Sequence, residues 1–192
     1  EYWEAAKYGV QSILTSPHFL YLVETENTNR EELSSDFSLT QHELATRLSY
    51  FLWSSMPDRA LRSEADRGTL NKPEVIQGHV ERMLTNDKAS AFVENFTGQW
   101  LNLRKLGTMP PDPEKNREYY ANNLEEAMRR ETQLYFSHIL QPNHSILEFI
   151  DSDYTFLNSA LATHYGIPFE GGDAFRKVKL PESTERGGLL GH

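Results

Sequence analysis

The order of apolar residues along this chain predicts an all-α fold, an irregular bundle of seven to nine helices with a small loop or β extension at the C-terminus. Three observations carry that expectation. Apolar residues recur at three- and four-residue steps through most of the sequence. Capping patterns open the periodic segments. A single stretch, Phe175 to Leu180, reads as a strand, and it is expected to pair with a partner outside this chain.

The elements follow in order. Ala6, Val10, Ile13 and Leu14 share one helical face, and Ser16-Pro17 interrupts the pattern before Phe19-Leu20-Tyr21-Leu22-Val23 resumes it, so the first helix breaks near Pro17. Glu24 to Ser38 is polar and aperiodic and reads as an exposed loop. Thr40 with Glu43 forms a capping box, Leu44, Leu48, Phe51 and Leu52 form the stripe behind it, and Pro57 ends that helix. Asp58 caps a short helix through Leu61 and Ala65 that stops at Gly68. Asn71 caps the next, which Pro73 opens and which carries Val75, Ile76, Val80, Met83 and Leu84.

From about Asn86 to Leu103, Ala89, Phe92, Val93, Phe96, Trp100 and Leu103 line one amphipathic helix, with Trp53 and Trp100 both expected in the core. Lys105 to Glu114 holds three prolines and a glycine and must be a loop. The longest helix runs from roughly Tyr119 to Leu140, on the stripe Leu124, Ala127, Met128, Leu134, Tyr135 and Ile139. Ser145 with Glu148 makes a second capping box ahead of Ile146, Leu147, Phe149 and Ile150. Asn158 then caps Leu161 to Tyr165, with Gly166 at the C-terminal stop and Pro168 after it. There is no internal repeat and no low-complexity tract.

Composition bounds the function. The chain has 192 residues with 38% hydrophobic content, enough for one medium domain with a sizeable core. Its 28 acids against 19 bases leave a net charge of -9, which disfavours nucleic acid as a partner. The absence of cysteine removes disulfides, thiolate metal sites, cysteine nucleophiles and the Cys-x-x-Cys-His attachment of a c-type haem, and it leans towards export. No apolar run is long enough for a membrane span. A start at Glu1 and an end inside Gly188-Leu189-Leu190-Gly191-His192 make the chain read as a piece of a longer protein.

No diagnostic site motif is present. His-Glu-x-x-His and Glu-x-x-His are both absent, and Glu131 and His138 are separated by about 10 Å of helix rise, too far to share one ion without a third element. No metal or cofactor is therefore expected in this segment. Arg129-Arg130-Glu131 interrupts the stripe of the longest helix, so at least one of these charges must lie near the core. Arg47, Glu94, Arg130, Glu131, Asp151 and Asp153 are the candidates for a structural ion-pair network that fixes helix register. The sharper alternative makes Glu131 a catalytic carboxylate, with Asp153 and His164 as the other weak catalytic candidates. Tyr50, Trp53, Trp100, Tyr154 and Phe156 are read as core aromatics, with stacking on sugar rings or an electron path as the rival. Gly171-Gly172 and Gly187-Gly188 are turns.

Five collinear strings carry a family resemblance: Ser16-Pro17-His18-Phe19-Leu20-Tyr21, Arg47 to Asp58, Asn95-Phe96-Thr97-Gly98-Gln99-Trp100-Leu101, Ala127-Met128-Arg129-Arg130-Glu131-Thr132 and Asp153-Tyr154-Thr155-Phe156-Leu157-Asn158. Through them the chain resembles the domain of unknown function fifteen-ninety-two, found in large exported planctomycete-type proteins. His164-Tyr165-Gly166 and Arg186-Gly187-Gly188-Leu189-Leu190 resemble the start of the companion domain fifteen-eighty-eight. The resemblance implies residues 1–16 as the tail of a preceding helical domain, 17–152 as the main helical domain and 153–192 as the start of the companion. It also implies an extracytoplasmic, periplasmic or secreted location, with flanking domains of the same polypeptide as partners and a c-type haem in a neighbouring domain. The function expected is a non-catalytic interaction or spacer module. The alternative is a polysaccharide-acting hydrolase or lyase using Glu, Asp and His, with polysaccharide as a further partner.

Overall fold

Proline and capping residues set the helix boundaries. The computed structural model describes residues 2–21, 39–141, 143–182, 184 and 186–191. Helix α1 (Tyr2–Leu14) stops at the Ser16-Pro17 break, and α2 (Pro17–Leu20) follows with proline at its first turn. Thr40 opens α3 (Gln41–Trp53) with both bonds of the capping box. Asp58 caps α4 (Arg59–Asp66) by accepting from the Leu61 amide at 3.0 Å. Then come α5 (Pro73–Leu84), α6 (Ser90–Trp100), α7 (Arg117–Ala121) and α8 (Leu124–Leu140). Strand β1 (Tyr154–Leu157), α9 (Ser159–Tyr165) and strand β2 (Arg176–Lys179) complete the regular elements, with short 3-10 turns between several of them. Asn158 caps α9 and Gly166 ends it in the left-handed conformation. Nine helices and one small sheet among the described residues make the fold an all-α bundle with a minor β extension.

Several local expectations change. The long helix is two, because Asn123 adopts a left-handed φ of 48°, a conformation asparagine tolerates better than most residues, and breaks the chain between α7 and α8. Lys72 rather than Asn71 stands at the start of α5, with Pro73 supplying the helical φ and no side-chain cap. Ser145 caps only a 3-10 turn, Ile146–Phe149, and Glu148 turns away to Tyr154 and His144 instead of closing a box. The partner of β2 lies inside the chain: it pairs antiparallel with β1, Tyr154 opposite Lys179 and Leu157 opposite Arg176. The Tyr154-Thr155-Phe156-Leu157 segment is too short to show an alternating pattern, so its strand character comes from that pairing. The loop expected over Glu24 to Ser38 lies outside the described residues.

Three packed clusters form the interior. Ala45, Leu52, Trp53, Leu61, Ala65, Leu70 and Met83 join α3, α4 and α5, and the Trp53 indole donates to the Met83 carbonyl at 3.0 Å. Leu124 and Ala127 of α8 meet Leu157, Leu161, Ala162, Ile167 and Leu180. Tyr135 and Ile139, about two and three turns beyond Ala127, meet Tyr154 and Leu189. Phe136, on another face of α8, joins it to α6 through Phe96 at 5.4 Å and to the 3-10 turn through Phe149 at 5.6 Å between ring centroids. Helix α8 is thus the shared wall of the second and third clusters and, through Phe136, meets α6. Helix α1 buries none of its residues.

Candidate functional site

A helix whose apolar stripe is interrupted by a glutamate must either turn that residue out or satisfy it inside. Helix α8 does the second. Glu131 is fully buried, and each of its oxygens accepts a hydrogen bond: Oε1 from the Thr155 hydroxyl at 2.6 Å and Oε2 from the Tyr165 hydroxyl at 2.8 Å. The guanidinium of Arg186 stands 3.9 Å from Oε1 and lies over the Tyr165 ring, 3.7 Å from its centroid. One carboxylate therefore ties together α8, β1, the last turn of α9 and the C-terminal segment. Burial pushes its pKa above the usual glutamate range, while the Thr155 and Tyr165 bonds and the Arg186 charge pull it back. Burial and the neighbouring Glu131 likewise raise the Tyr165 phenol. Arg186 Nη2 is buried without a hydrogen bond, the one loose end of the arrangement.

A second polar cluster gathers around Tyr154, the residue next to Thr155 in β1. The Tyr135 hydroxyl donates to the Glu148 carbonyl and lies 2.8 Å from the Ser152 hydroxyl, and the Tyr154 hydroxyl donates to the Glu148 carboxylate. Lys177 of β2 lies 3.6 Å over the Tyr154 ring and donates to His138 Nε2 at 2.9 Å. The His138 pKa is lowered, by burial first and then by the Lys177 and His144 charges, with Glu148 opposing.

Between α3 and α6 runs a groove of about 540 Å³ lined by Tyr50, Phe51, Ser54, Phe92, Asn95, Phe96, Gln99 and Trp100. Asn95 also lines a polar cleft of about 600 Å³ between α6 and α8, with Glu94, Arg104, Arg130 and Gln133 among its walls. Gly98 lets the Arg104 stem come close: a Cβ there would stand 3.3 Å from it, and the stem would have to give by a few tenths of an ångström. The guanidinium then donates to Asn95 Oδ1 at 2.9 Å, and Asn95 donates to Ser54 Oγ at 3.1 Å.

The residues singled out in sequence scatter over these places. Glu131 takes the buried position, while Arg47, Arg130 and Asp151 are exposed, Glu94 and Arg130 facing the polar cleft. Asp153 pairs with Lys179 at 3.6 Å on the surface, and His164 is exposed on the last turn of α9. Neither of them is a partner of Glu131. Trp53 is core, but Trp100 is 52% exposed, because α6 turns Val93, Thr97 and Gly98 inward and leaves Phe96 and Trp100 on its more open flank. Thr155, Tyr165 and Arg186, the groups that hold Glu131, are not among the residues singled out in sequence; Thr155 lies in the fifth string of the family resemblance, and Tyr165 and Arg186 in the two strings that resemble the companion domain.

Among the described residues no group of three or more His, Asp or Glu is arranged to hold a metal ion, and no helix is long and apolar enough to cross a membrane. Compared with known proteins, the chain matches one family model over residues 39–167, described as PSD4, a protein of unknown function (DUF1592). No curated protein and no solved structure matches it.

Proposed function

The chain belongs to the PSD4 family of proteins of unknown function (DUF1592), and from that membership we propose that it is a non-catalytic helical interaction module of a larger exported, cytochrome-linked polypeptide. The carrying observation is the state of Glu131. The one acid in the stripe of the central helix is sealed from solvent with both oxygens occupied, which suits a latch between elements and leaves nothing for a substrate to approach. The other two carboxylate and imidazole candidates, Asp153 and His164, stand apart on the surface, so no observation favours the hydrolase or lyase reading.

The docking role rests on aliphatic side chains in the open. Ile146, Leu147 and Ile150 form an exposed patch on one 3-10 turn, and α1 carries Val10, Ile13 and Leu14 outside any core. Soluble proteins seldom leave such contiguous aliphatic surface uncovered. In this reading the flanking domains of the same polypeptide cover both, any c-type haem sits in one of those domains, and the location is periplasmic or secreted. The test compares hydrogen exchange in residues 1–192 alone with the same residues inside the full encoded polypeptide. Strong added protection at residues 146–150 is expected; equal exchange in the two would remove the docking role.

A further inference from the structure

The α3–α6 groove has a different chemistry from those aliphatic patches. We propose that it binds an uncharged saccharide chain, a role beyond the docking of flanking domains. Its walls are aromatic: Tyr50, Phe51 and Trp100 are 47%, 61% and 52% exposed. Trp100 is nonetheless held in place, with its ring 5.5 Å from Phe96, 6.3 Å from Phe136 and 6.0 Å from Phe149. A rigid aromatic face open to solvent contributes little to folding but costs little entropy when a ligand lands on it.

The polar members of the groove are a hydroxyl and two amides, Ser54, Asn95 and Gln99, and no charged side chain lines it. An apolar helix laid there would strip water from these groups and leave polar valences unsatisfied. A pyranose suits them better, because its C–H face covers an aromatic ring while its hydroxyls both donate to and accept from amides.

The ligand can also continue past the groove. Asn95 is shared with the polar cleft, and Arg104, fixed by Asn95 and by its seat on Gly98, uses one of its donors on Asn95 and has the others to offer. Cations and carboxylates are both present along that cleft, Arg104, Arg129 and Arg130 against Glu94 and Glu126, with Arg129 already paired to Glu125 and Glu126, so it offers both donors and acceptors to a chain that continues into it. The two volumes fall in the range of small-molecule sites, about 300–1,000 Å³.

Affinity electrophoresis of residues 1–192 through native gels tests this, with gels holding hydroxyethylcellulose, galactomannan or arabinoxylan and, for comparison, the anionic polymer pectate. Dose-dependent retardation by at least one neutral polymer is expected, weakened about tenfold or more in Tyr50→Ala and in Trp100→Ala. Gln99 is exposed in the groove, so Gln99→Ala is the control for folding; it should weaken binding about threefold with an unchanged melting temperature. No retardation by any neutral polymer, retardation by pectate alone, or retardation that Tyr50→Ala and Gln99→Ala both leave intact would overturn the assignment. Protection of residues 146–150 is read separately, so either proposal can fail without the other.

Discussion

A carboxylate shut inside a helix stripe is held by what donates to it, and Glu131 has a donor on each oxygen and a cation 3.9 Å away. Replacing it with glutamine keeps the shape but puts an amide N–H against a hydroxyl that must now turn, and it removes the counter-charge of Arg186. Losing one partner of a buried pair costs about 3–5 kcal/mol. Arg186 keeps 26% of its side chain in solvent, which lowers the expected loss for Glu131→Gln to about 2–4 kcal/mol. Urea unfolding of the two proteins measures it. A loss under about 0.5 kcal/mol, the size seen at ordinary surface sites, would mean that the latch contributes nothing to the fold. The position of this charge was legible in the sequence, since Arg129-Arg130-Glu131 breaks an apolar stripe. Its partners were not, because hydroxyls 24 and 34 residues away are chosen by packing and carry no local signature.

At the scale of elements, the small sheet is fastened to α8 by Lys177, whose ammonium reaches the neutral His138 ring and the Tyr154 face together. Burial disfavours the charged ring, and protonating His138 would also set two cations 2.9 Å apart, so its pKa sits below the usual 6.5. The unfolded chain then binds the proton more readily than the folded one. The His138 contribution is therefore complete above about pH 6.5 and is lost as the pH falls from there through the folded value, with nearby Glu148 softening the loss and His144 adding to it. Stability measured from pH 7.5 to 5 should decline more steeply for this protein than for His138→Gln; parallel curves would show that the contact is not coupled to folding. Helix starts were readable beforehand wherever a cap is local, as at Thr40, Asp58 and Asn158. The break at Asn123 and the strand at Tyr154 were not, because one depends on a left-handed residue that asparagine permits without requiring, and the other on a partner some 20 residues later.

Across the whole molecule, α8 is the wall against which two of the three clusters assemble, and the last of its coverings comes from beyond residue 167. Leu180 closes the cluster around Leu124, Leu189 packs on Tyr135 and Ile139, and Arg186 completes the Glu131 site. Each buried leucine is worth about 1.5–3 kcal/mol, and a domain this size has a net stability of only about 5–15 kcal/mol. A chain ending at residue 167 should accordingly lose its cooperative thermal transition, or melt far below the full 192 residues. An unchanged melting curve would show that the C-terminal segment is an independent appendage. The sequence by itself determined the all-α class, the order of the helices, their local caps and the presence of one acid in the central stripe, because periodicity, capping and proline act within a few residues. Only the tertiary structure decided that Trp53 is buried while Trp100 stands half open, which residues latch Glu131, and that a groove of aromatic rings and amides remains between α3 and α6. Those outcomes depend on which faces meet across long sequence separations, and neighbouring residues do not encode that.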